Sequence, residues 1–114
     1  MIIAIDFDGT ITTDRTGEKE MELQHLAREV IIELAKAGHT LILWTCRENK
    51  KLYEAETFLQ KHAMLDYFNY INNNANKNIL KYGNDCRKIG ADLYIDDRIV
   101  GGFPGWAKIA DTLL

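Results

Sequence analysis

The chain has 114 residues, 46% of them apolar and 27% charged, with a formal net charge of −3. That length suits one domain with a single core, and the balance of apolar and charged residues excludes a disordered chain. The charge offers no broad attraction to nucleic acid, and the longest apolar runs fall far short of the ~20 residues that span a bilayer.

Cys46 and Cys86 form neither a zinc-like spacing nor a disulfide framework. They read as free thiols of a reducing compartment, each packed in the interior. No signal segment is expected at its start, because Asp6 and Asp8 interrupt the apolar run. A soluble, cytoplasmic single domain is expected over 1–114, with no membrane contact.

Ile2-Ile3-Ala4-Ile5 reads as a strand apolar on both faces, the pattern of a central strand covered on both sides. It runs straight into Asp6-Phe7-Asp8-Gly9-Thr10. Residues 11–17 are polar apart from Ile11 and read as a loop or flap over the two carboxylates. A helix is expected over 18–37, on a stripe of Leu23, Leu26, Ala27, Val30, Leu34 and Ala37, with Gly38 as its left-handed cap. Thr40–Trp44 is a second buried strand ending in Thr45-Cys46-Arg47. Leu52, Ala55, Leu59 and Ala63 outline a helix over about 50–62.

Tyr67–Ile71 reads as a short third strand, and the Asn-rich stretch 72–78 as a loop, since Asn competes with regular backbone bonding. Residues 79–90 are expected to be partly helical with a break at Gly83-Asn84. Asp92–Ile95 is the last strand and delivers Asp96-Asp97-Arg98. A turn-rich link, Gly101 to Gly105, leads to a C-terminal helix from about Trp106, and both Trp44 and Trp106 are assigned to the core. Strands alternating with helices imply a Rossmann-like parallel sheet with helices on both faces, a three-layer α/β sandwich. In such a sheet Asp6, Asp8, Thr45, Asp96 and Asp97 all reach one edge, where open α/β sheets place their ligands.

Phosphoryl transfer is chemistry that these residues suit. A carboxylate, Asp6, can attack phosphorus if a hard cation offsets the charge repulsion. Mg²⁺ takes oxygen ligands and binds through one or two carboxylates plus phosphate, here Asp6, the carbonyl of Asp8, and Asp96 or Asp97. Asp8 lies close enough to protonate a leaving oxygen and later to deprotonate water. Thr45 offers a hydroxyl to phosphate, and Arg47 can reach a phosphate beside it or pair with Glu48 or a neighbour. One further cation must offset the equatorial charge.

Asp6-Phe7-Asp8-Gly9-Thr10 resembles the first motif of the haloacid dehalogenase superfamily of phosphatases. Leu41-Ile42-Leu43-Trp44-Thr45 resembles the second motif, and Tyr94-Ile95-Asp96-Asp97 the fourth, in the family's order. The run from Arg87 to Asp97 is similar to the deoxyribonucleotidase branch, which selects Lys88 as the third-motif cation, with Lys81 and Lys77 as alternatives. The resemblance implies Asp6 as nucleophile and Asp8 as general acid/base. It also implies Thr45 and Lys88 on the phosphate and Mg²⁺ on Asp96 and Asp97; the residues themselves add Gly9 and Arg47 as candidate phosphate ligands and Asp6 and Asp8 as metal ligands. Only 36 residues separate Asp8 from Thr45, and 42 separate Thr45 from Lys88. Those gaps hold no cap domain, so an open, capless phosphatase is expected. Its substrate is then a phosphorylated small molecule such as a nucleotide, or a macromolecule, unless the subunits of a homo-oligomer supply the lid. A phosphate-binding module without turnover is the competing reading. A response-regulator receiver does not fit, because its acid pair follows the first strand, whereas here the adjacent acids come last.

Overall fold

The computed structural model describes residues 1–114. Four parallel strands, β1 (Ile2–Ile5), β2 (Thr40–Leu43), β3 (Tyr70–Ile71) and β4 (Leu93–Ile95), form one sheet in the order β3-β2-β1-β4. The helices between and after them are α1 (Ala27–Lys36), α2 (Asn49–Lys61), α3 (Asn76–Tyr82) and α4 (Trp106–Leu113). No helix is long and apolar enough to cross a membrane. The expected three-layer α/β architecture is the one observed, with β1 at the centre.

Alternation along the strands divides the core in two. Ile3 and Ile5, in register with Leu41 and Leu43, face a large cluster built with Val30, Ile31 and Leu34 of α1, Leu59 of α2 and Trp106 of α4. Ile2, Ala4 and Ile42 face the other way, onto a small cluster with Ala75 and Ile89. The second face is thinly covered, since α3 buries none of its own side chains. Polar clamps hold that layer instead. Asn74 is buried; its amide donates to Asp85 (2.6 Å) and to the Cys86 carbonyl (2.9 Å), and its oxygen accepts from the Gly90 N–H (2.6 Å). The Asn-rich stretch, expected to be a plain loop, thus supplies this clamp and, from Asn76, the helix α3.

The expected helix over 18–37 begins only at Ala27. Residues 11–13 and 22–24 instead lie antiparallel: Thr12 bridges Leu23, Thr13 N–H donates to the Glu22 carbonyl, and Gln24 N–H to that of Ile11. The alternation Glu20-Met21-Glu22-Leu23 serves an extended chain as well as a helix, and the bridge settles the choice. Leu26 then turns the chain at φ 63° into α1. The third strand is also shorter than expected, because Leu65–Tyr67 forms a 3₁₀ turn. Trp106 is buried as expected and donates its indole N–H to the Thr10 carbonyl (2.8 Å), so α4 pins the loop after β1. Cys46 and Cys86, expected inside, are both exposed, because each sits in a loop beyond a sheet or helix end.

Candidate functional site

The strand order reverses at β1: the chain moves from β1 to β2 and β3 on one side and returns to β4 on the other. A crevice at the carboxyl ends of such strands is where doubly wound sheets bind ligands. Asp6 extends β1 by one residue, its N–H donating to the Ile95 carbonyl (2.9 Å). Asp96 and Asp97 continue β4 directly beside it. One carboxylate oxygen from each of Asp6, Asp96 and Asp97 lies within 4.8 Å of the others. Thr10, fully buried, donates its hydroxyl to Asp6 Oδ2 (3.0 Å), which fixes that carboxylate from behind.

Three acids this close cannot all ionise without a counter-charge. Burial first, and then the charge of Asp96, push the Asp6 carboxyl up to about 7. Asp97 moves the other way. Its own burial opposes ionisation, but the Arg15 guanidinium and hydrogen bonds with Asp6 and Asp96 outweigh it and hold the carboxyl below its ordinary value. Of the two, Asp6 is the acid whose neutral form the site favours and Asp97 the one whose charge it favours. This all-oxygen donor set fits a hard divalent cation such as Mg²⁺, whose charge would let all three ionise. Asp8 does not bring its carboxylate to the cluster. Its main-chain carbonyl accepts no hydrogen bond from the protein and is the donor it has left for a cation.

Gly9 is where the sequence admits no other residue. It turns at φ +80°, and a Cβ there would collide with the Asp97 carboxylate and approach the Arg15 side chain at 2.7 Å. Its place in the site is thus backbone clearance, which lets the loop after β1 lie against Asp97.

Asp8 is clasped by Arg47. Nε and Nη2 of the guanidinium reach the two carboxylate oxygens at 2.9 and 2.7 Å, and Nη1 donates to the Lys51 carbonyl at 3.0 Å. Arg47 is buried and its Cζ lies 5.0 Å from the centre of the Phe7 ring. The expected phosphate ligand is therefore engaged with Asp8, and Glu48 is not its partner. Thr45 stands at the end of β2 with its N–H on Asn72 Oδ1 (2.8 Å), while its hydroxyl oxygen accepts from the Arg47 N–H (3.2 Å). The hydroxyl proton of Thr45 remains free to meet a ligand.

Lys88 is exposed, and its side chain forms no ion pair or hydrogen bond. Its neighbour Arg87 donates Nη1 to the carbonyl of Asn72 (2.9 Å), the residue whose side chain accepts from the Thr45 N–H. Lys77 and Lys81 lie elsewhere. They line a cavity of about 480 Å³ with Ile2 and Asp92, at the amino ends of β1 and β4.

Two contributors were not legible beforehand. Asn72 orients Thr45, and Arg15, in the expected flap, donates Nε to Asp97 Oδ2 at 2.6 Å. The flap itself is built around Asp14, whose carboxylate accepts from the N–H groups of Thr16, Glu18 and Lys19. Between flap and α2 lies an open groove of about 420 Å³, lined by Asp8, Thr16, Gly17, Arg47, Glu48 and Lys51. The largest cavity, about 670 Å³, lies away from the acids between residues 20–23 and α2.

Fold and site together define a parallel α/β domain with a carboxylate cluster at its topological switch point. Neither the family models nor the curated proteins match the sequence. Among solved structures, a conserved protein from Bacteroides thetaiotaomicron is 36% identical, over 98% of this chain and 88% of that one, with a TM-score of 0.83. The chain belongs to the family of that conserved protein.

Proposed function

We propose that the chain is a Mg²⁺-dependent phosphomonoesterase of the haloacid dehalogenase type, acting through an aspartyl-phosphate on Asp6. The observation that carries this reading is the convergence of Asp6, Asp96 and Asp97 to within 4.8 Å at the switch point. Asp6, Asp96 and Asp97 would hold the cation, with the Asp8 carbonyl beside them. When bound, it supplies positive charge that ionises Asp6 and neutralises phosphate oxygens.

The chain's own residues divide the remaining work. The Asp6 carboxylate forms a bond to phosphorus as the ester P–O bond breaks, and Asp8 gives its proton to the departing oxygen. The alcohol leaves neutral, and Asp8 is left as a carboxylate. Asp8 then takes a proton from water as the water oxygen bonds to phosphorus, which releases Asp6 and inorganic phosphate. The Thr45 hydroxyl donates to a phosphate oxygen, and Lys88 is assigned to the opposite side of that group.

Hydrolysis of a panel of phosphate esters, nucleotides included, with and without Mg²⁺, tests the proposal. Asp6→Asn is expected to abolish turnover while the protein still folds. Undiminished hydrolysis by that variant refutes the role of Asp6. Tight binding of a phosphate analogue with no turnover by the unmodified protein replaces the enzyme by a binding module.

A further inference from the structure

Arg47 is the buried cation of the site. Its side chain is 6% exposed, whereas that of Arg15 is 62% exposed. Three features hold it: the Phe7 ring at 5.0 Å, the Lys51 carbonyl of α2, and the flap. At the flap Gly17 turns at φ +74°, and a Cβ there would stand 3.4 Å from Nη2 and 3.3 Å from Asp8 Oδ1. A guanidinium whose fork is already closed on a carboxylate has little left to offer a substrate phosphate. Asp8, by contrast, keeps capacity. Each of its oxygens has a second lone pair, and its side chain remains 20% exposed, on the groove beside Thr16 and Lys51.

We infer that Arg47 is a positioning residue for the proton transfer assigned to Asp8, its fork holding that carboxylate in fixed orientation at the mouth of the groove. The inference rests on the phosphatase reading above. The groove receives the leaving alcohol, and the proton passes to it from a carboxyl that cannot rotate away. Orientation of a proton donor matters in proportion to how badly the leaving oxygen needs the proton. A nitrophenolate departs without help, whereas an alkoxide does not. Disturbing Arg47 therefore weighs on alkyl esters more than on aryl esters, a signature that neither a phosphate-binding nor a purely structural arginine produces.

The test measures kcat and KM for para-nitrophenyl phosphate and glycerol phosphate, with Mg²⁺, in Arg47→Gln, Arg47→Lys, Asp8→Asn and the Arg47→Gln/Asp8→Asn double variant. Arg47→Gln is expected to lower kcat/KM, which reports the transfer to Asp6, about a hundredfold on the alkyl ester and less than about tenfold on the aryl ester, whereas kcat also contains the hydrolysis of the aspartyl-phosphate that both esters share. Arg47→Lys keeps the charge but not the fork, and falls between. The double variant is expected to be no slower than Asp8→Asn alone, because both changes remove one function. Equal losses of kcat/KM on the two esters, or multiplying effects in the double variant, overturn the inference. If Arg47→Gln does not melt cooperatively, Arg47→Lys carries the same comparison. Absence of turnover by the unmodified protein on every ester overturns the phosphatase reading itself, whereas turnover with unselective losses overturns only the role of Arg47.

Discussion

Replacing Asp6 by Asn removes one of three carboxylates crowded at the sheet edge, and it is expected to stabilise the metal-free protein. In the unfolded chain Asp6 gives up its proton near 3.8, and in the fold near 7. The folded state therefore gains from the proton fully below the lower value, and that gain is lost as pH rises through the upper one. A displacement of this size corresponds to about 4 kcal/mol for a wholly buried group. Asp6 retains partial access to solvent, which screens the penalty to roughly 2 kcal/mol. On a chain of this length that is a change in Tm of about 5–10 °C.

Thermal melts at pH 4 and pH 8 in the presence of a chelator measure it. Asp6→Asn should melt above the unmodified protein at pH 8, and the two should converge at pH 4. Mg²⁺ relieves the same repulsion. At a concentration a hundred times Kd it should stabilise the unmodified protein by about 2.7 kcal/mol, and the variant by much less. Melts that coincide at both pH values, or an equal response of both proteins to Mg²⁺, would refute the electrostatic account of this cluster.

Two other substitutions probe the loop that closes over the acids. Gly9→Ala places a side chain at φ +80° against Asp97, and should cost about 2 kcal/mol or more by urea denaturation while weakening Mg²⁺ binding in titration calorimetry. A variant of unchanged affinity would mean that Asp97 does not need the clearance that Gly9 provides. Asp14 is held down to about 2, chiefly by the Lys19 N–H and then by those of Thr16 and Glu18. Its support of the flap is present above the ordinary carboxylate value and is lost as pH falls through about 2, so the Lys19 amide resonance should titrate there and not in Asp14→Ala. A midpoint near 4 in the unmodified protein would show that the flap is not built on that carboxylate.

The acids at the strand ends were legible because two local signals coincide. Ile2–Ile5 and Leu93–Ile95 are short apolar runs, and each is followed at once by aspartate. Parallel pairing then carries Asp6, Asp96 and Asp97 to a common edge whatever the intervening chain does. Boundaries were less legible where one pattern serves two structures. Glu20-Met21-Glu22-Leu23 fits a helix or an extended chain, and pairing with residues 11–13 decides for the second.

The layers, the central strand and the meeting of Asp6, Asp96 and Asp97 follow from hydrophobic period and parallel topology, both of which can be read along the chain. How each acid is partnered is a matter of the folded chain. Arg47 closes on Asp8 across 39 positions and Arg15 on Asp97 across 82, while Asn72 takes the Thr45 N–H across 27. Nothing in the spacing of those residues selects these partners, since surface arginines and asparagines look alike in sequence. The choice is made by which side chains the folded backbone brings within 3 Å, and by burial, which obliges a charge such as Arg47 to find a carboxylate.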